Sequence, residues 1–155
     1  MGTSKAAVAD AVQGMVAGVE CVANILEREF RAVIKDWYSR VELEADLTSI
    51  SLDYEERTRH LPQLLREVVA RLRLDAGSKA SISKAAIIHG GLRRTQGYTA
   101  AMAVQESRLL QVTIFSMLHR NVRCLDFSTL LPDIAIIADE VDAQLSQQMQ
   151  RFMAI

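Results

Sequence analysis

The segment HGGLRRTQGY, residues 89–98, sets a histidine, two arginines, a glutamine and a tyrosine among three glycines. Each type brings its own chemistry. An imidazole titrates near neutrality, and a guanidinium fork grips a carboxylate or phosphate. On a continuous helix His89, Arg93 and Gln96 stand four and three residues apart and share a face, while Arg94 points elsewhere. Gly90 and Gly91 weaken such a helix, but they let a neighbouring backbone approach or leave room beside the histidine for a ligand. The next segment carries Gln105, Glu106 and Arg108, and a reversal at Gly97 brings Glu106 towards Arg93. Two readings follow. In one, a buried ion pair fixes the hairpin and nothing more, because buried charges must be paired. In the other, His89, Arg93, Gln96 and Glu106 face a small cavity or a partner surface and sense what occupies it, while Gly90, Gly97 and Tyr98 form the turn and the close packing. Acid–base catalysis by His89 and Glu106 needs a substrate-sized pocket beside both.

No other stretch offers competing chemistry. HExxH, P-loop, GxSxG and GxGxxG patterns are all missing, and no glutamate stands three residues before a histidine as in di-iron bundles. His60 and His119 read as isolated, and Asp139, Glu140 and Asp142 as a solvated face. Met102 and Met117 read as core. Cys21 and Cys124 share no CxxC spacing and read as reduced, inert small hydrophobes. The expectation is therefore no metal, no cofactor and no enzymatic activity. With 18 Lys plus Arg against 19 Asp plus Glu, the formal charge is -1, which argues against nucleic-acid binding. No apolar run approaches the roughly 20 residues of a membrane span, and Asp10 breaks any signal-peptide pattern. A cytoplasmic protein is the expectation.

The elements that must position the cluster are helical. The 155 residues are 50% hydrophobic and carry two prolines, which suits one all-helical domain over residues 1–155. A stripe through Val12, Met15, Val19, Val22, Leu26, Phe30, Val33 and Trp37 predicts a helix over residues 6–36, weakened at Gly14 and Gly18. A short helix or helical continuation runs from Trp37 to Leu47. Asp53 is a candidate cap for the next helix, which Pro62 divides. Ser81 is a candidate cap for a helix through His89 to Gln96, ended by Gly97 in a left-handed conformation. From Thr99 a strongly apolar helix reads as the most buried one, and after Pro132 a last helix presents Ile134, Ile137, Val141, Leu145, Met149 and Phe152. The fold expected is an all-α bundle of about five to six helices with long N- and C-terminal helices. The near-heptad spacing of the two terminal stripes also suits pairing in a homodimer.

The chain resembles the N-terminal sensory domain family of the RsbT co-antagonist protein RsbRD, also found at the front of bacterial histidine kinases. The resemblance rests on Asp36-Trp37, ERTRHLPQLL at residues 56–65, HGGLRRTQGY, VQESRLL at residues 104–110, LDFSTLLPDI and ADEVD, and so covers nearly the whole chain. It implies an all-helical, dimeric input module that alters the output of an attached kinase or regulatory partner, without implying its ligand. It carries over His89, Gly90, Arg93, Gln96, Gly97 and Glu106 as signature positions. A globin-like arrangement is the alternative to a simple bundle, and His89 would be the axial ligand were haem bound. In the usual arrangement the last helix continues into the output domain. Here it stops at Ile155, so the chain is read as an excised input domain or as a protein that acts through a separate partner.

Overall fold

The structure, a computed structural model, describes residues 19–74 and 77–154. Eight α-helices follow one another there: α1 Val22–Arg28, α2 Phe30–Glu42, α3 Ala45–Thr48, α4 Tyr54–Thr58, α5 Leu61–Leu72, α6 Lys84–Thr95, α7 Ala100–Arg120 and α8 Phe127–Met153. No strand occurs among the described residues, where an isolated bridge between Glu20 and Leu125 is the nearest thing to one. The fold is the all-α bundle the periodicity predicts. Its helices outnumber the five or six expected because two stretches expected as unbroken helix, residues 6–36 and 37–47, are divided.

The long first helix is one of these. Residues 6–18 of that expectation, including Val12, Met15, Gly14 and Gly18, lie outside the described residues. Val19 and Glu20 are not helical, and the Glu20 N–H donates to the Cys124 carbonyl at 2.8 Å instead of to a preceding turn. Helix then begins at Val22 and is interrupted once, at Glu29. The apolar stripe beyond this point is buried as its spacing requires, with Val22, Leu26, Val33 and Trp37 all in the core. Each such side chain contributes about 1.5–3 kcal/mol by leaving water.

Pro62 divides the next element as expected. Asp53 caps α4 through a reciprocal box: its carboxylate accepts from the Glu56 N–H at 2.8 Å, and the Glu56 carboxylate accepts from the Asp53 N–H at 3.2 Å. Pro62 itself sits in the first turn of α5, where its missing N–H costs nothing. The cap of α6 is Ser83 rather than Ser81. The Ser83 hydroxyl accepts from the Ala86 N–H at 3.0 Å, while the Ser81 carbonyl accepts instead from the Gln147 amide of α8.

Gly97, at φ 94°, ends α6 in the left-handed region, and the Tyr98 N–H closes the turn on the Arg93 carbonyl at 3.0 Å. Thr99 caps α7 at once, its hydroxyl accepting from the Met102 N–H at 3.2 Å. Helix α7 buries Leu109, Leu110, Ile114, Met117 and Leu118 along one face, but leaves Val104 and Val112 exposed on the other. It is therefore not covered all round, as its apolar composition suggested.

Helix α8 lies against α5, α6 and α7. Ile137, Val141 and Phe152 of its predicted stripe are buried, but Glu140, Gln144 and Gln148 are buried with them. The contact with α6 is close, because a Cβ on Gly90 would stand 2.1 Å from the Gln148 carbonyl oxygen. Of the two roles open to Gly90, close backbone approach is the one realised.

Candidate functional site

The α6–α7 hairpin does bring the predicted residues together. Glu106 stands at the centre, nearly free of solvent contact. Its Oε1 accepts from Arg93 Nε at 3.0 Å and lies 3.5 Å from His89 Nε2, and its Oε2 accepts from the Tyr98 hydroxyl at 2.7 Å. Arg93, 1% exposed, also donates to Gln96 Oε1 at 2.8 Å and to the Arg57 carbonyl at 2.8 Å. Its guanidinium stacks over the Tyr98 ring. Every predicted sensing residue thus belongs to one network, and the carboxylate partner of Arg93 is supplied from within the chain. Arg94 does point elsewhere, lying over the Phe152 ring and donating to the Phe152 carbonyl.

Four further participants were not foreseen. Arg57, 2% exposed, donates to the Tyr98 hydroxyl at 2.7 Å and to the carbonyls of Leu47 and Ile50, which closes the short helix α3. Trp37 Nε1 donates to the Glu106 carbonyl at 3.1 Å. Gln144 of α8 donates from its amide nitrogen to the Leu64 carbonyl at 3.1 Å. His60 is not isolated: its ring stacks on His89 at 3.5 Å between centroids and 12° between planes, with Trp37 edge-on at 5.7 Å. The signal available for His60 and Arg57 was their place just before the Pro62 break. Partners as far apart in sequence as Arg57 and Tyr98, 41 positions, give no periodic signature.

Electrostatics follow from this burial. His60 is held well below the ordinary histidine range, first by loss of water and then by the neighbouring His89 and Arg93. Burial likewise depresses His89, and Arg93 adds to this against the pull of Glu106. Burial alone would lift Glu106, but the hydrogen bond from His89 and the charge of Arg93 outweigh it and hold the carboxyl below the ordinary range. Tyr98 is pushed up by burial and by Glu106. Near neutrality the cluster therefore holds two guanidinium charges, one carboxylate and two neutral imidazoles.

A second ion-paired group lies further along the contact between α5 and α8, where Arg71 meets Asp139 and Glu140. Glu140 is buried, so the acidic run of Asp139, Glu140 and Asp142 is not wholly a solvated face. Cys21 is exposed at the start of α1 and Cys124 is partly buried, both unbridged.

His60, His89 and Glu106 bring their ligating atoms within 4.8 Å of one another. The stack opposes a shared ion, however. Imidazole binds a metal along its lone pair, in the ring plane, and an ion between two parallel rings would lie outside both planes. Arg93 also occupies the same carboxylate oxygen. The cavity among Trp37, His60, His89, Glu106, Gln144 and Gln148 measures about 10 Å³, room for one water. Neither a substrate nor a haem fits beside His89 in this arrangement. Two buried polar atoms on residues lining this cavity, His60 Nδ1 and Gln144 Oε1, have no hydrogen-bond partner in the protein.

Compared with family models, curated proteins and solved structures, the chain matches none. No helix among the described residues is long and apolar enough to cross a membrane.

Proposed function

We propose that the chain is a non-enzymatic signal-input domain of a bacterial signal-transduction protein, such as a histidine kinase or a stressosome-type regulator, of the RsbRD N-terminal kind. It acts as a homodimer and passes its signal through α8 to a downstream kinase or regulatory domain. One observation carries this reading. The residues that bear the resemblance, His89, Gly90, Arg93, Gln96, Gly97 and Glu106, converge on one buried cluster, and Gly90 sets that cluster directly against the backbone of α8.

The seam is suited to relay. Helix α8 meets its neighbours through Glu140, Gln144, Gln147 and Gln148 as well as through apolar side chains, and polar pairs can be exchanged for others when a helix shifts or turns. The homodimer has a candidate face in the outward side of α7, where Val112, Phe115, Ser116, His119 and Arg120 line an open groove. A small-molecule ligand would need a cavity larger than the one beside His89. The cavity of about 120 Å³ between Arg71, Lys79, Ser83 and Glu140 is the candidate, and it too borders α8. A purely structural docking module is the second reading, favoured by the water-sized cavity at the cluster.

The test is native mass spectrometry combined with hydrogen exchange at constant pH across a set of small metabolites. A dimer in which exchange within α8 changes on addition of one compound supports the input domain. A chain whose α8 exchange is indifferent to every compound, and to solution conditions that leave it folded, supports the structural module.

A further inference from the structure

The cluster at His89 leaves no room for an organic ligand, so a signal entering there must be very small. We propose that the stacked His60–His89 pair is a proton-responsive element, and that α8 reads protonation of His60 through Gln144. This deepens the input-domain reading and rests on it.

Two buried polar atoms beside the stacked pair stand without partners. His60 Nδ1 and Gln144 Oε1 are buried on residues that line the same water-sized cavity, and neither accepts a hydrogen bond from the protein. With the proton of the neutral ring on Nε2, His60 Nδ1 and Gln144 Oε1 are two acceptors bordering one water-sized space. A proton on Nδ1 turns one of them into a donor, and Gln144 Oε1 becomes its partner, directly or through one water. Gln144 is held from its other end by Leu64 and Glu67 of α5, so the new bond ties the start of α5 to the middle of α8.

The surroundings set the acidity at which this happens. From α6, His89 and Arg93 face His60 and oppose a positive charge. From α7, Glu106 favours it, but Arg93 already holds that carboxylate. Helix α2 contributes the uncharged Trp37, and α8 the uncharged Gln144 and Gln148. From α4, Arg57 adds a further positive charge to the same network. From α5, Glu67 is turned to the amide of Gln144; burial, His89 and Arg93 prevail at His60, and the element responds to acidification below the ordinary histidine range. Burial of the pair prevents earlier protonation.

The chain carries its own reporter. Trp37 is its one tryptophan, and it meets the His60 ring edge-on. Imidazolium quenches indole emission much more than neutral imidazole does. The experiment is Trp37 fluorescence of the whole chain from pH 8 to pH 4, with far-UV circular dichroism on the same samples. The expected result is a reversible loss of emission centred below pH 6.5, complete before helicity falls. It should be abolished in His60→Phe and in His60→Gln, and displaced about one pH unit lower in Gln144→Met, a tenfold loss of proton affinity. Emission that stays flat until helicity is lost, or a quench that survives both His60 substitutions, overturns the assignment. A quench that is unmoved in Gln144→Met overturns the link to α8. Each of these leaves the input-domain reading standing on its own test, made at constant pH with added compounds.

Discussion

Replacing Gly90 by alanine and replacing its neighbour Gly91 by alanine should have opposite effects on stability. Both glycines lie within α6, so each alanine gains about 1 kcal/mol of helix propensity. At Gly91 the new Cβ stands 3.3 Å from Cγ of Arg151, a flexible exposed side chain that can move aside. At Gly90 it stands 2.1 Å from the Gln148 carbonyl oxygen and 2.8 Å from its carbonyl carbon and Cα. That is backbone in the middle of a helix, and it yields only if α8 as a whole moves away by roughly an ångström. Overpacking of this kind costs about 3 kcal/mol or more, which leaves Gly90→Ala destabilised by about 2 kcal/mol net. Gly91→Ala should be neutral or stabilised by up to about 1 kcal/mol. Urea denaturation followed by circular dichroism measures both, read as a shift in midpoint at unchanged slope. Equal midpoints for the two variants would refute the close α6–α8 approach.

The same geometry fixes four other outcomes. Glu106→Gln keeps the shape but leaves Arg93 buried without its counter-charge, and should lose about 3–5 kcal/mol in the same denaturation assay; Tyr98→Phe, which removes one hydroxyl bridge, should lose about 1–3 kcal/mol. Because His60 and His89 titrate below their unfolded values, the unfolded chain binds more protons as acidity rises. Stability should therefore be constant above pH 6.5 and fall by about 1.4 kcal/mol per pH unit for each histidine below it, until the folded values are reached. Glu106, held below its ordinary value, adds a further loss only under more acid conditions, so the thermal midpoint should begin to fall well before carboxylates titrate. Asp53→Ala removes the reciprocal cap of α4 and should cost about 1 kcal/mol with little effect on the cluster, seen as an unchanged Trp37 emission maximum.

What could be read from the residues alone was whatever is local. Gly97, Tyr98 and Thr99 lie within three positions of one another, and their turn chemistry specifies the α6–α7 hairpin, hence the meeting of Arg93 with Glu106. The caps at Asp53 and the break at Pro62 are local too. Ser83 displaced Ser81 as a cap because the Ser81 carbonyl is taken by Gln147, a residue 66 positions away. The stacking of His60 on His89, the burial of Arg57 and the polar seam of α8 all depend on how helices distant in sequence cross. Neither Gln144 nor Gln148 breaks the amphipathic pattern of α8 enough to mark it as buried. The helix expected through residues 19–21 failed for the same reason, since the Glu20 N–H finds its acceptor at Cys124.

The central claim is that the buried cluster controls how α8 is held. The most direct measurement is hydrogen exchange of the α8 amides over residues 144–152, compared between the unaltered chain and Glu106→Gln under conditions where both remain folded. Protection in this stretch should fall more than in α2 or α5. A loss spread evenly over all helices, or confined to the α6–α7 turn, would contradict it and leave Glu106 as a fastening of the hairpin.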